Sequence, residues 1–103
     1  MFIILYNWEL EIVEKSKIEI EAEGNKGEWG NIVYVDKRIT LLNSLSYDLK
    51  RQTLIHELTH AIQNFMGYGK LSVEQTCDFM AAHLDVIRDI VDYYFREVTN
   101  NVD

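Results

Sequence analysis

Five consecutive residues, His56-Glu57-Leu58-Thr59-His60, form an H-E-x-x-H sequence in a stretch with helical periodicity. Histidines four positions apart lie on one side of a helix with Cβ atoms about 6 Å apart, so both imidazoles can reach one zinc ion. Glu57 is rotated by about 100° from His56, which places its carboxylate beside the metal. A carboxylate there can take a proton from a zinc-bound water. The sequence therefore predicts a zinc-dependent peptide hydrolase with His56 and His60 as metal ligands and Glu57 as the catalytic base.

A catalytic zinc site usually has three protein ligands and leaves one position for water. Glu74 and Asp78 lie four positions apart in a second helical stretch, hence on one face of that helix. Glu74 is predicted as the third ligand, with Asp78 hydrogen-bonded to a ligand histidine. His83 is the competing ligand, but it lies about 180° around the helix from Glu74, so both cannot face the metal. With Glu74 facing the metal, His83 would face solvent or the sheet.

The elements that must position these side chains begin with strands. Residues 2–6 and 8–13 predict a hairpin with its turn near Asn7, and residues 29–35 and 38–42 predict a second hairpin. Between them, residues 17–21 alternate polar and apolar and predict a half-buried strand, with a short helix as the alternative. Residues 23–28 contain two glycines among polar residues and predict a loop.

Two helices are predicted after the strands. Ser44 or Ser46 is expected to cap the first, Gly67 and Gly69 to end it, and Ser72 to cap a second helix that runs to about Arg96. The histidines lie on a different face of the first helix from its apolar stripe, which consists of Leu54, Leu58, Ala61, Ile62 and Phe65. The fold class is α+β: a small antiparallel or mixed sheet of three to five strands packed on the H-E-x-x-H helix, followed by the Glu-bearing C-terminal helix, in one domain over residues 1–103.

The composition and charge of the chain argue against several classes of function and partner. The chain has 103 residues, a net charge of −7 and ten scattered Lys and Arg, which argues against nucleic acid as a direct partner. The longest apolar run, residues 1–6, is too short for a membrane span and predicts a core strand. The single cysteine, Cys77, excludes an internal disulfide, is expected as a buried core thiol and favours the cytoplasm. Trp8 and Trp29 are expected as core or hairpin aromatics.

A family resemblance follows from these residues. His56-Glu57-Leu58-Thr59-His60-Ala61 followed by Glu74-x-x-x-Asp78 resembles the gluzincin pattern. Residues 30 to 91 are similar to small metallopeptidases of the ImmA/IrrE-like and minigluzincin type, in which a strand pair precedes the active-site helix. The resemblance implies His56, His60 and Glu74 as zinc ligands and Glu57 as the base. It also implies an edge strand that binds a peptide or protein substrate in extended form.

The chemistry of peptide hydrolysis adds one further requirement. A tetrahedral oxyanion needs a hydrogen-bond donor, usually a tyrosine or a histidine. Tyr68 is a candidate donor, with Tyr47 and His83 as the alternatives.

Two other hypotheses remain open at this point. In the first, zinc clamps the two helices of a binding module without turnover. Such a site usually has a fourth protein ligand, and neither Cys77 nor His83 shares the face of Glu74. In the second, the enzyme is latent because its cleft is covered by the tail, residues 98–103, or by a partner chain.

Overall fold

The fold is α+β, with a small four-stranded mixed sheet and two main helices. The computed structural model describes residues 1–25 and 27–100. The elements in chain order are β1 (Phe2–Leu5), β2 (Trp8–Lys15), α1 (Lys17–Ala22), β3 (Gly30–Val33), β4 (Arg38–Leu42), α2 (Tyr47–Phe65) and α3 (Val73–Asn100). No helix in the described ranges is both long and apolar enough to cross a membrane.

The sheet has the strand order β1-β2-β4-β3. Strands β1 and β2 pair antiparallel, as do β3 and β4, which confirms both predicted hairpins. Strands β2 and β4 pair in parallel, which makes the sheet mixed. Strands β1 and β3 are therefore its two edges, and β1 alternates buried Ile3 and Leu5 with exposed Phe2 and Ile4. It is a half-buried edge strand instead of the core strand that its apolar composition predicts.

The segment at residues 17–22 is helix α1, so the predicted strand is wrong and the helical alternative is confirmed. Ser16 starts the helix with a reciprocal cap: the Glu19 backbone N–H donates to Ser16 Oγ at 3.2 Å, and the Ser16 N–H donates to Glu19 Oε1 at 3.1 Å. Only Ile20 is buried, while Ile18 is exposed. A helix of fewer than two turns that buries one residue needs no apolar stripe, so its sequence can alternate like a strand.

The boundaries of the two long helices follow their capping residues. Ser46, and not Ser44, caps α2 by accepting the Leu49 N–H at 3.4 Å. Gly67 follows the end of α2 with a φ of +72°, a conformation that glycine adopts without strain. Ser72 caps α3 through a reciprocal pair with Gln75, and this helix continues to Asn100, past the predicted end.

The core lies between the sheet and the two long helices. Four of the five residues of the predicted α2 stripe are buried, and the fifth, Phe65, is half-buried against Trp8 at 5.1 Å between ring centroids. Helix α3 contributes a stripe of its own that begins at Phe79. Cys77 is exposed, so the expectation of a buried thiol is wrong. It lies two positions before Phe79, about 200° around the helix from the buried stripe.

A polar cluster ties β2 to both long helices. The Tyr94 hydroxyl on α3 donates to Glu14 Oε2 at 2.5 Å, and the Lys50 ammonium on α2 contacts Glu14 Oε1 at 2.6 Å. Tyr94 is buried, and its pKa is raised, first by burial and then by its hydrogen bond to Glu14. The tyrosine therefore stays protonated and serves as a permanent donor to the carboxylate.

We predict that Tyr94→Phe lowers the free energy of unfolding by about 1.5 kcal/mol, because the substitution removes a buried hydrogen bond to a charged group and preserves the ring. Urea unfolding measures this difference. Tyr93→Phe is the matched control, since Tyr93 is partly exposed and its ring lies under Arg96 at 5.6 Å. Equal stability of the two variants would contradict the prediction.

Candidate functional site

Helix α2 presents its two histidines on the side away from the core. His56 Nε2 and His60 Nε2 lie 3.0 Å apart, with the ring centroids 4.6 Å apart. Both side chains reach the surface of the helix. The pKa of His60 is lowered, first by partial burial and then by the neighbouring His56. Two imidazole nitrogens thus converge on one point, as the four-residue spacing predicts.

Glu57 lies between the histidines in sequence but is directed inward. Its residue is 6% exposed, and no side chain in the described ranges forms a hydrogen bond or an ion pair with its carboxylate. Burial is the largest cause of its raised pKa, with Glu28 contributing in the same direction and His56 opposing. The Glu57 oxygens are not among the fully enclosed polar atoms that lack a partner, and the residue lines a cavity, so the carboxylate faces that cavity. A largely buried carboxylate in a cavity is typical of functional sites.

A cavity of about 610 Å³ opens between α2 and strand β3. On the α2 side it is lined by Gln52, Thr53, His56, Glu57 and His60, and on the other side by residues 27–32 and Tyr34. Trp29 belongs to that second wall and is 51% exposed, so it is not a core aromatic. Its carbonyl accepts the Leu42 N–H at the end of the β3–β4 pair, which agrees with the alternative expectation of a hairpin aromatic. The pair formed by Gly30 and Thr53 sets the spacing of the walls, because a Cβ on Gly30 would lie 2.6 Å from Thr53 Cγ2.

Strand β3 borders this cavity with a free edge. The Leu42 N–H donates to the Trp29 carbonyl at 2.8 Å, and hydrogen-bonded pairs alternate along an antiparallel ladder. The backbone groups of Gly30 and Ile32 therefore point away from β4. The strand offers unpaired donors and acceptors beside the Glu57 carboxylate, which is the arrangement that adds a further extended chain to a sheet.

A second cavity of about 470 Å³ shares His60 and Tyr34 with the first. It is also lined by Tyr68, Lys70 and Thr76, so it extends from α2 to the first turn of α3. Tyr34 was not anticipated from the sequence. Its pKa is raised, first by burial and then by the negative charge of Glu57, which lines the first cavity together with Tyr34. Only its position within the strand predicted for residues 29–35 could have indicated that it lies beside the helix.

Glu74 and Asp78 are exposed on the first turns of α3. Within residues 1–25 and 27–100, no three His, Cys, Asp or Glu side chains are grouped closely enough to hold a metal ion. The structure brings His56, Glu57 and His60 to one cavity and does not add Glu74 or Asp78 to them. Thr76, two positions after Glu74, does line the cavity that contains His60. Glu74 as third ligand and Asp78 as its support stay predictions.

Of the three candidate oxyanion donors, Tyr68 and His83 are in contact with each other and Tyr47 lies apart from them. His83 is 5% exposed and packs at the β1–β2 turn, where its Nδ1 lies 2.5 Å from the Tyr6 hydroxyl and its Nε2 lies 3.3 Å from the Tyr68 hydroxyl. Tyr47 packs on Phe95 and lines neither cavity. Of the three, Tyr68 is the one that shares a cavity with His60.

The tail that could cover the cleft, residues 98–103, lies only partly within the described residues. Residues 98–100 belong to α3, and Val98 packs against the core. Residues 101–103 lie outside the described residues, so covering of the cleft by them stays a prediction.

A scan against protein-family models, a search of curated proteins and a search of solved structures each found no match. The function of this chain is therefore inferred from its own residues. These are the two converging histidines, the buried carboxylate between them and the free strand edge across the cavity.

Proposed function

We propose that this chain is a zinc-dependent endopeptidase that hydrolyses extended peptide or protein substrates. One observation supports the proposal above the others: the largely buried Glu57, which has no partner among the described side chains, lines the same cavity as two histidine nitrogens 3.0 Å apart. A largely buried carboxylate beside two potential metal ligands is typical of functional sites.

The two histidines fit a zinc ion. Zinc–nitrogen bonds are about 2.0–2.1 Å long, so two nitrogens on a tetrahedral zinc lie about 3.4 Å apart, close to the 3.0 Å separation of the two Nε2 atoms. His56 and His60 would hold the metal, and Glu74 is the proposed third ligand, with Asp78 supporting a histidine. When bound, zinc supplies Lewis-acid polarisation of a carbonyl group and of water.

The chain's own residues account for the remaining steps. The free backbone groups of Gly30 and Ile32 would bind the substrate as an added strand and align its scissile bond with α2. Glu57 would take the proton from the attacking water and return it to the leaving amine, a role suited to a carboxylate whose pKa is raised by burial. Tyr68 is the proposed oxyanion donor, and Tyr34 lines the same two-cavity region.

A catalytically silent or latent zinc-binding module is the second candidate. One observation favours it: Glu74 is exposed and is not grouped with the histidines within the residues that the structure describes. A site whose third ligand is not in place would bind zinc weakly, or only after the first turn of α3 moves towards α2.

Metal removal and restoration test the proposal. We expect about one zinc per chain, hydrolysis of a quenched-fluorescent peptide library, loss of hydrolysis in EDTA and recovery with Zn²⁺. Mg²⁺ is the control and should not restore activity, because it prefers oxygen ligands to imidazole. Stoichiometric zinc without hydrolysis would favour the silent module. Absence of zinc from a folded chain would overturn both candidates.

A further inference from the structure

We infer that the cavity beside α2 selects extended peptides that carry a Lys or Arg side chain, held between Glu28 and Trp29. The inference rests on the proposed function in one respect, since it takes β3 as the strand to which the peptide adds. It goes further by assigning a substrate class to the wall of the cavity that the metal-site motif does not include.

The charge of the residues that line the cavity favours binding of a cation. Its lining includes two carboxylates, those of Glu28 and Glu57, and within the described residues it includes neither Lys nor Arg. Glu57 is 6% exposed, no described side chain pairs with it, and Glu28 lies on the opposite wall of the same cavity. Glu28 is exposed, and no described side chain forms an ion pair with it. A substrate cation would relieve the repulsion between the two carboxylates.

Trp29 supplies the second contact. It is 51% exposed at the cavity wall although tryptophan is usually buried, and its backbone is fixed by the hydrogen bond from Leu42. A guanidinium or ammonium group over an indole face gains cation–π attraction, and tryptophan is the best ring for it. An aromatic face next to an exposed carboxylate is therefore a receptor for a basic side chain with an apolar stem.

The register places one peptide side chain at this receptor. A strand added to β3 would pair at the free backbone groups of Gly30 and Ile32. The peptide residue opposite Gly30 would project its side chain to the same face of the sheet as a Cβ on Gly30. That face is the one on which Thr53 of α2 lies. Glu28 and Trp29 directly precede Gly30 and line the same cavity. A zinc ion on His56 and His60 would place its charge on the α2 wall and leave the loop wall acidic.

The test measures peptide binding, with the fluorescence of Trp29 as the readout. The experiment uses the full chain with the substitution Trp8→Phe, so that Trp29 is its one tryptophan. EDTA is added to prevent hydrolysis, and it alters no side chain of the cavity. Two peptides of otherwise identical sequence carry Arg or its neutral isostere citrulline at one central position. We expect the Arg peptide to bind about tenfold more tightly at 50 mM salt, from one ion pair and one cation–π contact.

Glu28→Gln should reduce the preference for Arg over citrulline to about threefold, because the ion pair is lost and the indole remains. Glu9→Gln is the matched control: Glu9 is exposed on β2, outside the cavity, and the preference should stay near tenfold. Equal binding of the two peptides, no binding of either, or a preference unaffected by Glu28→Gln would each overturn the inference.

The proposed function is decided by a separate measurement, hydrolysis of the same peptides by the zinc-loaded chain. Hydrolysis of both peptides with equal kcat/KM would leave the endopeptidase proposal standing and reject the preference for a basic side chain. Preferential binding of the Arg peptide without hydrolysis would retain the binding preference and reject the endopeptidase.

Discussion

Glu57→Gln is expected to lower kcat for peptide hydrolysis by about 10³-fold while zinc binding is retained. The amide has nearly the same shape as the carboxylate but cannot accept the proton of the attacking water, and general-base catalysis typically contributes 10²–10⁴-fold. Zinc affinity should change little, because the proposed metal ligands are His56, His60 and Glu74. Initial rates on a quenched-fluorescent peptide, together with zinc titration of the same sample, measure both quantities.

The same substitution should make the metal-free protein more stable. Glu57 is 6% exposed and has no described partner, and burial raises its pKa, so its charged form is less well solvated in the folded protein than in the unfolded chain. A neutral amide avoids this loss of solvation, and we expect the free energy of unfolding to rise by about 1 kcal/mol. Glu9→Gln, the same chemical change at an exposed site, should alter neither rate nor stability. A Glu57→Gln variant that hydrolyses peptide at the wild-type rate would remove Glu57 from the mechanism.

Local sequence was sufficient to predict the hairpins, the caps and the histidine pair. Each of these depends on residues within one turn or one helix, such as Ser46 with Leu49 or His56 with His60. Segment 17–22 was predicted wrongly because its alternation suits either a strand or a short helix. Cys77 was predicted wrongly, and Trp29 is a hairpin and not a core aromatic, because the burial of both residues depends on how α3 and β3 pack, which no local pattern contains.

The residues of the candidate site likewise include a local group that the sequence predicts and a group whose positions depend on long-range packing. His56, Glu57 and His60 share one helix, so the helical repeat alone fixes their relative directions. The relation of Glu74 to the histidines depends on residues 66–72, which join α2 to α3 and set the placement of the second helix. Tyr34 reaches the cavity through the pairing of β3 with β4 and the packing of that pair on α2, a long-range arrangement. The parallel pairing of β2 with β4 is likewise non-local.

Gly30→Ala is expected to lower the free energy of unfolding by about 3 kcal/mol, at the upper end for overpacking. The new Cβ would lie 2.6 Å from Thr53 Cγ2 and 3.0 Å from the Thr40 carbonyl oxygen, and neither α2 nor the ladder between β3 and β4 can shift freely. The φ of Gly30 is not positive, so the effect is steric and not a matter of backbone strain. Gly69→Ala is the matched control, since it also lacks a positive φ and its Cβ would meet no atom within 4 Å.

A second substitution separates the two contacts of Gly30→Ala. Thr53→Ser removes the Cγ2 methyl and keeps the hydroxyl, which donates to the Leu49 carbonyl at 2.7 Å. In a double-mutant cycle measured by urea unfolding, Thr53→Ser should recover about half of the loss, because the Thr40 carbonyl contact remains. Full additivity of the two substitutions would contradict the close approach of β3 to α2. Since that approach sets the spacing between the histidines and the strand edge, Gly30→Ala should also weaken peptide binding in the cavity, whereas Gly69→Ala should leave it unchanged.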